Sequence, residues 1–393
     1  MAQRVFFHIG APKTGTTFLQ RVMWGNRPQL REQGVLFPGD RWLDRVWSTN
    51  VIRETRIPHE MARTSWDRIV AQTKAFDGTV VISHEFYAAA TREQAAQAIA
   101  DLEPAEVHIV FTARDYVRQV PALWQEQLKF RFSTPLAEYD PEPVTAAPHT
   151  HFGWRTLDVV DALSRWGAGL PPEHVHVVTV PPAGSPPGLL WERFATLCGI
   201  DPESCDTRVG RANESLGAVE AELLRRVNPR ISEEIRGPGE VPGWVRDYLG
   251  HSVLVPLGGE RLGVSPARAD ELRDRSRRAV SELEAAGYDV VGDLQELIPP
   301  EHLPPTRQPD DSTDSELLEV ALDAIAVMLK NQRDTSRNRD QWRTRARRAE
   351  QQLRQHQQQP HRRSLARSAL RRLPPGLRGR LVAIRDRLRR RQS

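Results

Sequence analysis

Val5-Phe6-Phe7-His8-Ile9-Gly10-Ala11-Pro12-Lys13-Thr14-Gly15-Thr16-Thr17-Phe18-Leu19-Gln20 is the stretch on which the fold turns. Val5–Ile9 is almost wholly apolar, which predicts a strand buried on both faces. Gly10 to Thr17 reads as a loop, and Thr17 to Trp24 opens a helix with Phe18, Leu19 and Val22 apolar. At a strand–helix junction, free backbone N–H groups and the helix dipole favour a cluster of anionic oxygens. Gly10 and Gly15 let backbone approach such a group closely. Thr16 and Thr17 add hydroxyl donors, and Lys13 adds a mobile positive charge.

The same grammar continues downstream. Thr79–Ser83, Val107–Thr112 and Val175–Val180 are further apolar, β-branched runs. Helical patterns fall between them, at Ser65–Phe76, Thr91–Leu102, Val117–Phe130, Leu157–Trp166 and Leu189–Cys198. Thr91 has Glu and Gln behind it, as a capped start requires. Buried strands alternating with helices predict an α/β fold with a parallel sheet covered on both faces. Leu216–Val227 and Ala267–Ala286 are later helices. The stretch Asn228–Gly263 between them, with its Gly, Pro and Trp, reads as a lid or a long loop, and Ser133–His151 as a surface excursion.

The chain has 393 residues, 39% hydrophobic and 27% charged, which excludes wholesale disorder. Its two cysteines, Cys198 and Cys205, exclude a disulfide scaffold and a four-cysteine metal cage. The first strand is read from Val5, so no secretory or transit segment is expected, and no apolar run is long enough to cross a bilayer. A reducing cytoplasm is therefore expected. The net charge of +4 conceals an asymmetry: residues 331–393 carry 20 Arg against four acidic groups, a net +16, so the rest stands at −12. Only four of the 55 basic residues are Lys, so a Lys in a motif is more informative than an Arg.

The loop is not a Walker A motif, because Lys13 precedes Gly15 by two instead of standing before Ser or Thr. The order Pro12-Lys13-Thr14-Gly15-Thr16-Thr17-Phe18-Leu19-Gln20 instead resembles the phosphosulfate-binding loop of the sulfotransferases. The resemblance implies a P-loop NTPase-like three-layer fold. It also implies that this loop holds the 5′-phosphate of 3′-phosphoadenosine-5′-phosphosulfate (PAPS), with Lys13 stabilising the departing oxygen as adenosine 3′,5′-bisphosphate leaves. Pro12 to Thr17 are thus the expected donor-binding residues.

Arg114, after the third long strand, matches the family's Arg for the donor 3′-phosphate, and Arg118 stands one turn along. The family's Ser eight residues after that Arg is replaced by Ala122. The second long strand ends Ser83-His84-Glu85, and the family uses a His or a Glu there as general base. Neighbours on an extended strand face opposite ways, so one of the two is expected to face the donor, with Glu85 the first choice and His84 the second. Arg211 is the candidate in a late basic loop over the 3′-phosphate. His149/His151 and His174/His176 offer only two residues each, so no metal is expected.

The sulfotransferase-like domain is expected over 1–300, a linker over 301–315, a helical, coiled-coil-like segment over 316–357 and a basic tail over 358–393. Leu318, Leu322, Ile325 and Leu329 carry the coiled-coil spacing. The acceptor is expected to be a hydroxyl of a small molecule, glycan or lipid. The tail suits a peripheral contact with the inner membrane face or self-association, and it lacks the aromatic residues that nucleic-acid stacking needs. The alternatives are a P-loop kinase-like phosphotransferase and a non-catalytic nucleotide-binding scaffold.

Overall fold

The computed structural model of the chain describes residues 2–143, 153–210, 215–237 and 239–358. Six strands, β1 (Arg4–Gly10), β2 (Val35–Leu36), β3 (Thr79–Ser83), β4 (Glu106–Ala113), β5 (Val175–Thr179) and β6 (Asp289–Val291), form one open sheet. All pairs are parallel, in the order β2-β3-β1-β4-β5-β6. The chain runs from β1 to one edge, returns through β3 beside β1, and crosses to β4 on the other side. The carboxyl end of β1 is therefore the point where the winding reverses, and in open α/β sheets a crevice forms there.

Alternation along β1 explains why both faces are covered. Phe6 points into a core with Leu19, Val22 and Met23 of helix α1 (Thr16–Gly25) and with Trp191 and Phe194 of the helix Leu189–Leu197. Phe7 points to the opposite face, where the rings of Trp166, Tyr87 and Trp66 lie 4.8, 4.9 and 5.8 Å away. Burying each such side chain stabilises the fold by about 1.5–3 kcal/mol. The expectation of an α/β fold with a doubly covered parallel sheet is met.

The helix Arg92–Ala100 opens on Thr91, whose hydroxyl accepts from the Gln94 N–H while the Gln94 amide oxygen accepts from the Thr91 N–H. The stretch Asn228–Gly263 is not simply a loop: Val241–Leu254 winds as a 14-residue helix of i→i+5 pitch.

The chain divides into two units, Met1–Ala324 and Ile325–Ser393. Within the first, residues 301–315 are tied down. Arg307 exchanges main-chain hydrogen bonds with Arg261 and Gly263, and its guanidinium pairs with Glu260 and Glu316. A helix of 45 residues, Asp314–Gln358, begins within the first unit and supplies the described part of the second. Leu318, Leu322, Ile325 and Leu329 are exposed on it. The basic tail after Gln358 lies outside the described residues. Among the described residues, no helix is long and apolar enough to cross a membrane.

Candidate functional site

The carboxyl ends of β1, β3 and β4 meet at the loop Gly10–Gly15. Gly15 caps α1 with φ +88°, a left-handed conformation that suits glycine. Lys13 is also left-handed, φ +64°. Gly10 is required for a different reason. A Cβ there would lie 3.1 Å from Ala88 Cβ and 3.2 Å from the Glu85 carbonyl oxygen, so β1 and the chain after β3 touch through main chain.

Buried polar side chains hold the loop from below. His8 bonds Ser83 Oγ through Nδ1 at 2.8 Å, and its Nε2 lies 3.1 Å from the Gly10 carbonyl and 3.2 Å from Thr112 Oγ1. Burial pulls His8 down to about 4, so it is neutral. The Thr14 hydroxyl lies 2.6 Å from both the Ala11 carbonyl and Thr112 Oγ1. From the helix Tyr116–Leu128, Gln119 donates its amide to the Pro12 carbonyl at 2.7 Å. The N–H groups of Gly15, Thr16 and Thr17 take no acceptor among the described residues, so donors remain at the start of α1.

Arg114 sits just past β4 and donates from Nη1 to the Lys13 carbonyl at 3.0 Å. Its Nε is buried without a hydrogen-bond partner. Burial, with repulsion from Arg118 and Arg261, lowers it to about 10 against the pull of Asp115, so it stays charged at neutral pH. Arg118 is partly committed: its Nε pairs with Asp115 and its Nη1 donates to the Pro181 carbonyl at 3.2 Å.

The Lys13 ammonium lies 3.2 Å from Glu126 Oε2. Two further cations reach the same carboxylate, Lys129 at 3.3 Å and Arg246, from the Val241–Leu254 helix, at 3.3 Å. Burial pushes the Glu126 carboxyl up, but Lys13, Lys129 and Arg246 outweigh it and hold it at about 2. Three cations around one carboxylate leave an excess of positive charge beside the loop.

His84 and Glu85 do not extend β3 as neighbours on a strand. β3 ends at Ser83, and His84 caps the short turn Glu85–Ala89. His84 Nδ1 accepts from the Phe86 N–H at 3.1 Å, which leaves the neutral ring its proton on Nε2 and no lone pair for an acceptor's proton. Burial lowers His84 to about 4. Glu85 accepts from Gln20 Nε2 at 3.1 Å, and Gln20 Oε1 accepts from Arg45 Nε at 2.9 Å. Burial pushes Glu85 up, but His84, Gln20 and Arg45 together keep it below the usual carboxylate range. It is an ionised carboxylate held by a relay.

Pro12 to Thr17, Arg114, His84 and Glu85 are thus gathered around one strand end. Arg211 and Asn213 lie outside the described residues. The chain on their C-terminal side is anchored, since Gln125 exchanges hydrogen bonds with both main-chain groups of Leu216. Arg208 is paired with Asp206 and otherwise exposed. Trp124 is core. Gln20, Arg45, Gln119, Lys129 and Arg246 escaped sequence reading. For Lys129 a signal existed, because it is one of only four lysines and stands three residues after Glu126 on a helical stretch. The chain matches no protein-family model, no curated protein and no solved structure.

Proposed function

We propose that the protein is a PAPS-dependent sulfotransferase on a P-loop-like α/β fold, acting on a hydroxyl of a carbohydrate, lipid or small-molecule acceptor in the cytoplasm. The observation that carries this reading is the joining of Lys13 to Arg114, the two residues assigned to opposite ends of the donor. The N–H groups of Gly15 to Thr17 and the Lys13 ammonium suit the 5′-phosphosulfate. Arg114, buried and with an Nε–H lacking an acceptor, suits the 3′-phosphate, with Arg118 beside it.

In this reading the acceptor oxygen attacks sulfur as the bond from sulfur to the 5′-phosphate oxygen breaks. The acceptor proton passes to the Glu85 carboxylate. Adenosine 3′,5′-bisphosphate leaves with its new charge beside Lys13, and positioning with charge stabilisation supplies the rate. Glu85 is preferred to His84 because its lone pairs are available. The test is incubation of a cell extract with sulfur-labelled PAPS and the enzyme. Label in an organic product that requires Lys13 and Glu85 supports the reading. Label transfer unaffected by Lys13→Ala contradicts it.

A further inference from the structure

The opposite end of the sheet holds a second cluster, which the reaction above does not use. Glu106 and His108 alternate along the start of β4 and share a face. Ile109 pairs with Val175 in the β4–β5 register, which sets His108 beside His174. The donor atoms of Glu106, His108 and His174 all lie within 4.8 Å of one another. Glu106 and His108 stand opposite Arg4 and Phe6, so about 13–20 Å of β1 separates them from Gly10, where the Lys13 loop begins, at roughly 3.3 Å per residue. Glu106 and His174 reach solvent, and His108 is buried behind them.

Behind these three residues runs an ordered support. His108 Nδ1 lies 2.8 Å from His176 Nε2, and His176 Nδ1 lies 2.6 Å from Asp289 Oδ2. On the other side, His108 Nε2 lies 2.7 Å from Glu106 Oε1. Three contacts thus link two carboxylates through two imidazoles, and each contact needs one proton. Two neutral imidazoles carry two. When His176 donates to Asp289 and His108 donates to His176, the lone pair of His108 Nε2 faces the Glu106 carboxylate. Two electron-rich atoms then face one another, which a cation between them would relieve. Arg4 Nε, 3.3 Å from the same Glu106 oxygen, neutralises the carboxylate only from its outer side.

We propose that Glu106, His108 and His174 form a binding site for a divalent transition metal of the zinc class. Two imidazoles and one carboxylate are a donor set that zinc accepts, with a water completing four-coordination. His176 and Asp289 fix the His108 tautomer and orientation, as outer partners of metal-bound imidazoles do. Phe6, whose ring lies 5.1 Å from His108 and 5.9 Å from His176, supplies the apolar backing. Bound metal ties the start of β4 to the turn that leads into β5.

Calorimetric titration of the full chain with Zn²⁺ after chelator treatment tests this site, with Co²⁺ as a spectroscopic stand-in. The expected result is one saturable Zn²⁺ per chain of micromolar affinity or better, and visible d–d bands with Co²⁺. His174→Ala and Glu106→Gln, both on the solvent side, should each weaken binding about tenfold or more and abolish the bands, with circular dichroism unchanged. Absence of saturable uptake by the unsubstituted protein overturns the proposal. So does uptake that neither substitution alters.

Discussion

Arg114 Nη1 donates a hydrogen bond to the main-chain carbonyl of Lys13 at 3.0 Å, tying the residue after β4 to the loop after β1. The bond makes the loop's shape depend on an Arg that is itself assigned to the donor. Arg114→Ala should therefore weaken adenosine 3′,5′-bisphosphate binding twice over, by removing a phosphate contact and by loosening the Lys13 turn. A loss of about 2–3 kcal/mol, read by calorimetry, is expected for a charge-assisted contact of this kind. Arg114→Lys keeps the charge without the fork and should recover only part of it.

In the proposed reaction Lys13 serves the departing oxygen more than ground-state binding. Lys13→Ala should lower turnover on the order of 10²–10³-fold while changing the Michaelis constant for PAPS much less. Steady-state kinetics with varied donor checks the split. An equal rise in the Michaelis constant with turnover intact would assign Lys13 to binding alone.

Glu85 and His84 separate by a pair of substitutions. Glu85→Gln preserves the contact with Gln20 but cannot take a proton, so turnover should fall about 10²–10⁴-fold. His84→Ala should reduce stability by opening a space beside Phe86 and Tyr87, and turnover less. Because Glu85 lies below the usual carboxylate range, the wild-type rate should stay flat through neutral and mildly acidic pH and decline only at pH below that at which an ordinary carboxylate takes up its proton.

Glu126 gathers Lys13, Lys129 and Arg246, and its folded-state value of about 2 lies below the ordinary value of 4.5. A depressed carboxyl contributes stability that is present above the unfolded value and lost as pH falls through the folded one. The contribution, up to about 3 kcal/mol, should therefore disappear between about pH 4.5 and 2. Urea unfolding across that window measures it. Glu126→Gln should be destabilised at neutral pH and show a shallower decline on acidification, because the buried Lys129 has lost its counter-charge.

Gly10 touches the chain after β3 with no room for a side chain. Gly10→Val should cost about 1–3 kcal/mol in denaturant unfolding, since the neighbours are main chain and a core Ala. It should also lower turnover by displacing Glu85, whose own carbonyl oxygen makes that contact.

Much of this architecture was legible because β1, β3, β4 and β5 are apolar runs bounded by loops. β2 has two residues and β6 three, too short for any periodicity to register. The helix Val241–Leu254 is masked in sequence by Pro242, Gly243 and Gly250, and its unusual pitch matches no ordinary helical spacing. Lys13, Glu85 and Arg114 were legible as candidates because each stands within three residues of a strand's carboxyl end. Lys129 stands only three residues after Glu126 at the end of the same helix, whereas Arg246 was not legible because it meets Glu126 only by the crossing of a distant helical segment. The histidines show the same limit: His174 and His176 read as a pair, and only the β4–β5 register brings Glu106 and His108 to them.

In the proposed reading the turn around Lys13 and Arg114 binds an adenosine carrying phosphate at both its 3′ and 5′ positions. Calorimetric titration of the full chain with adenosine 3′,5′-bisphosphate, set against ATP with magnesium, tests it most directly. Saturable one-to-one binding of the bisphosphate is expected, tighter than ATP and weakened by both Lys13→Ala and Arg114→Ala. Preference for ATP with magnesium, or no uptake of the bisphosphate, would contradict it.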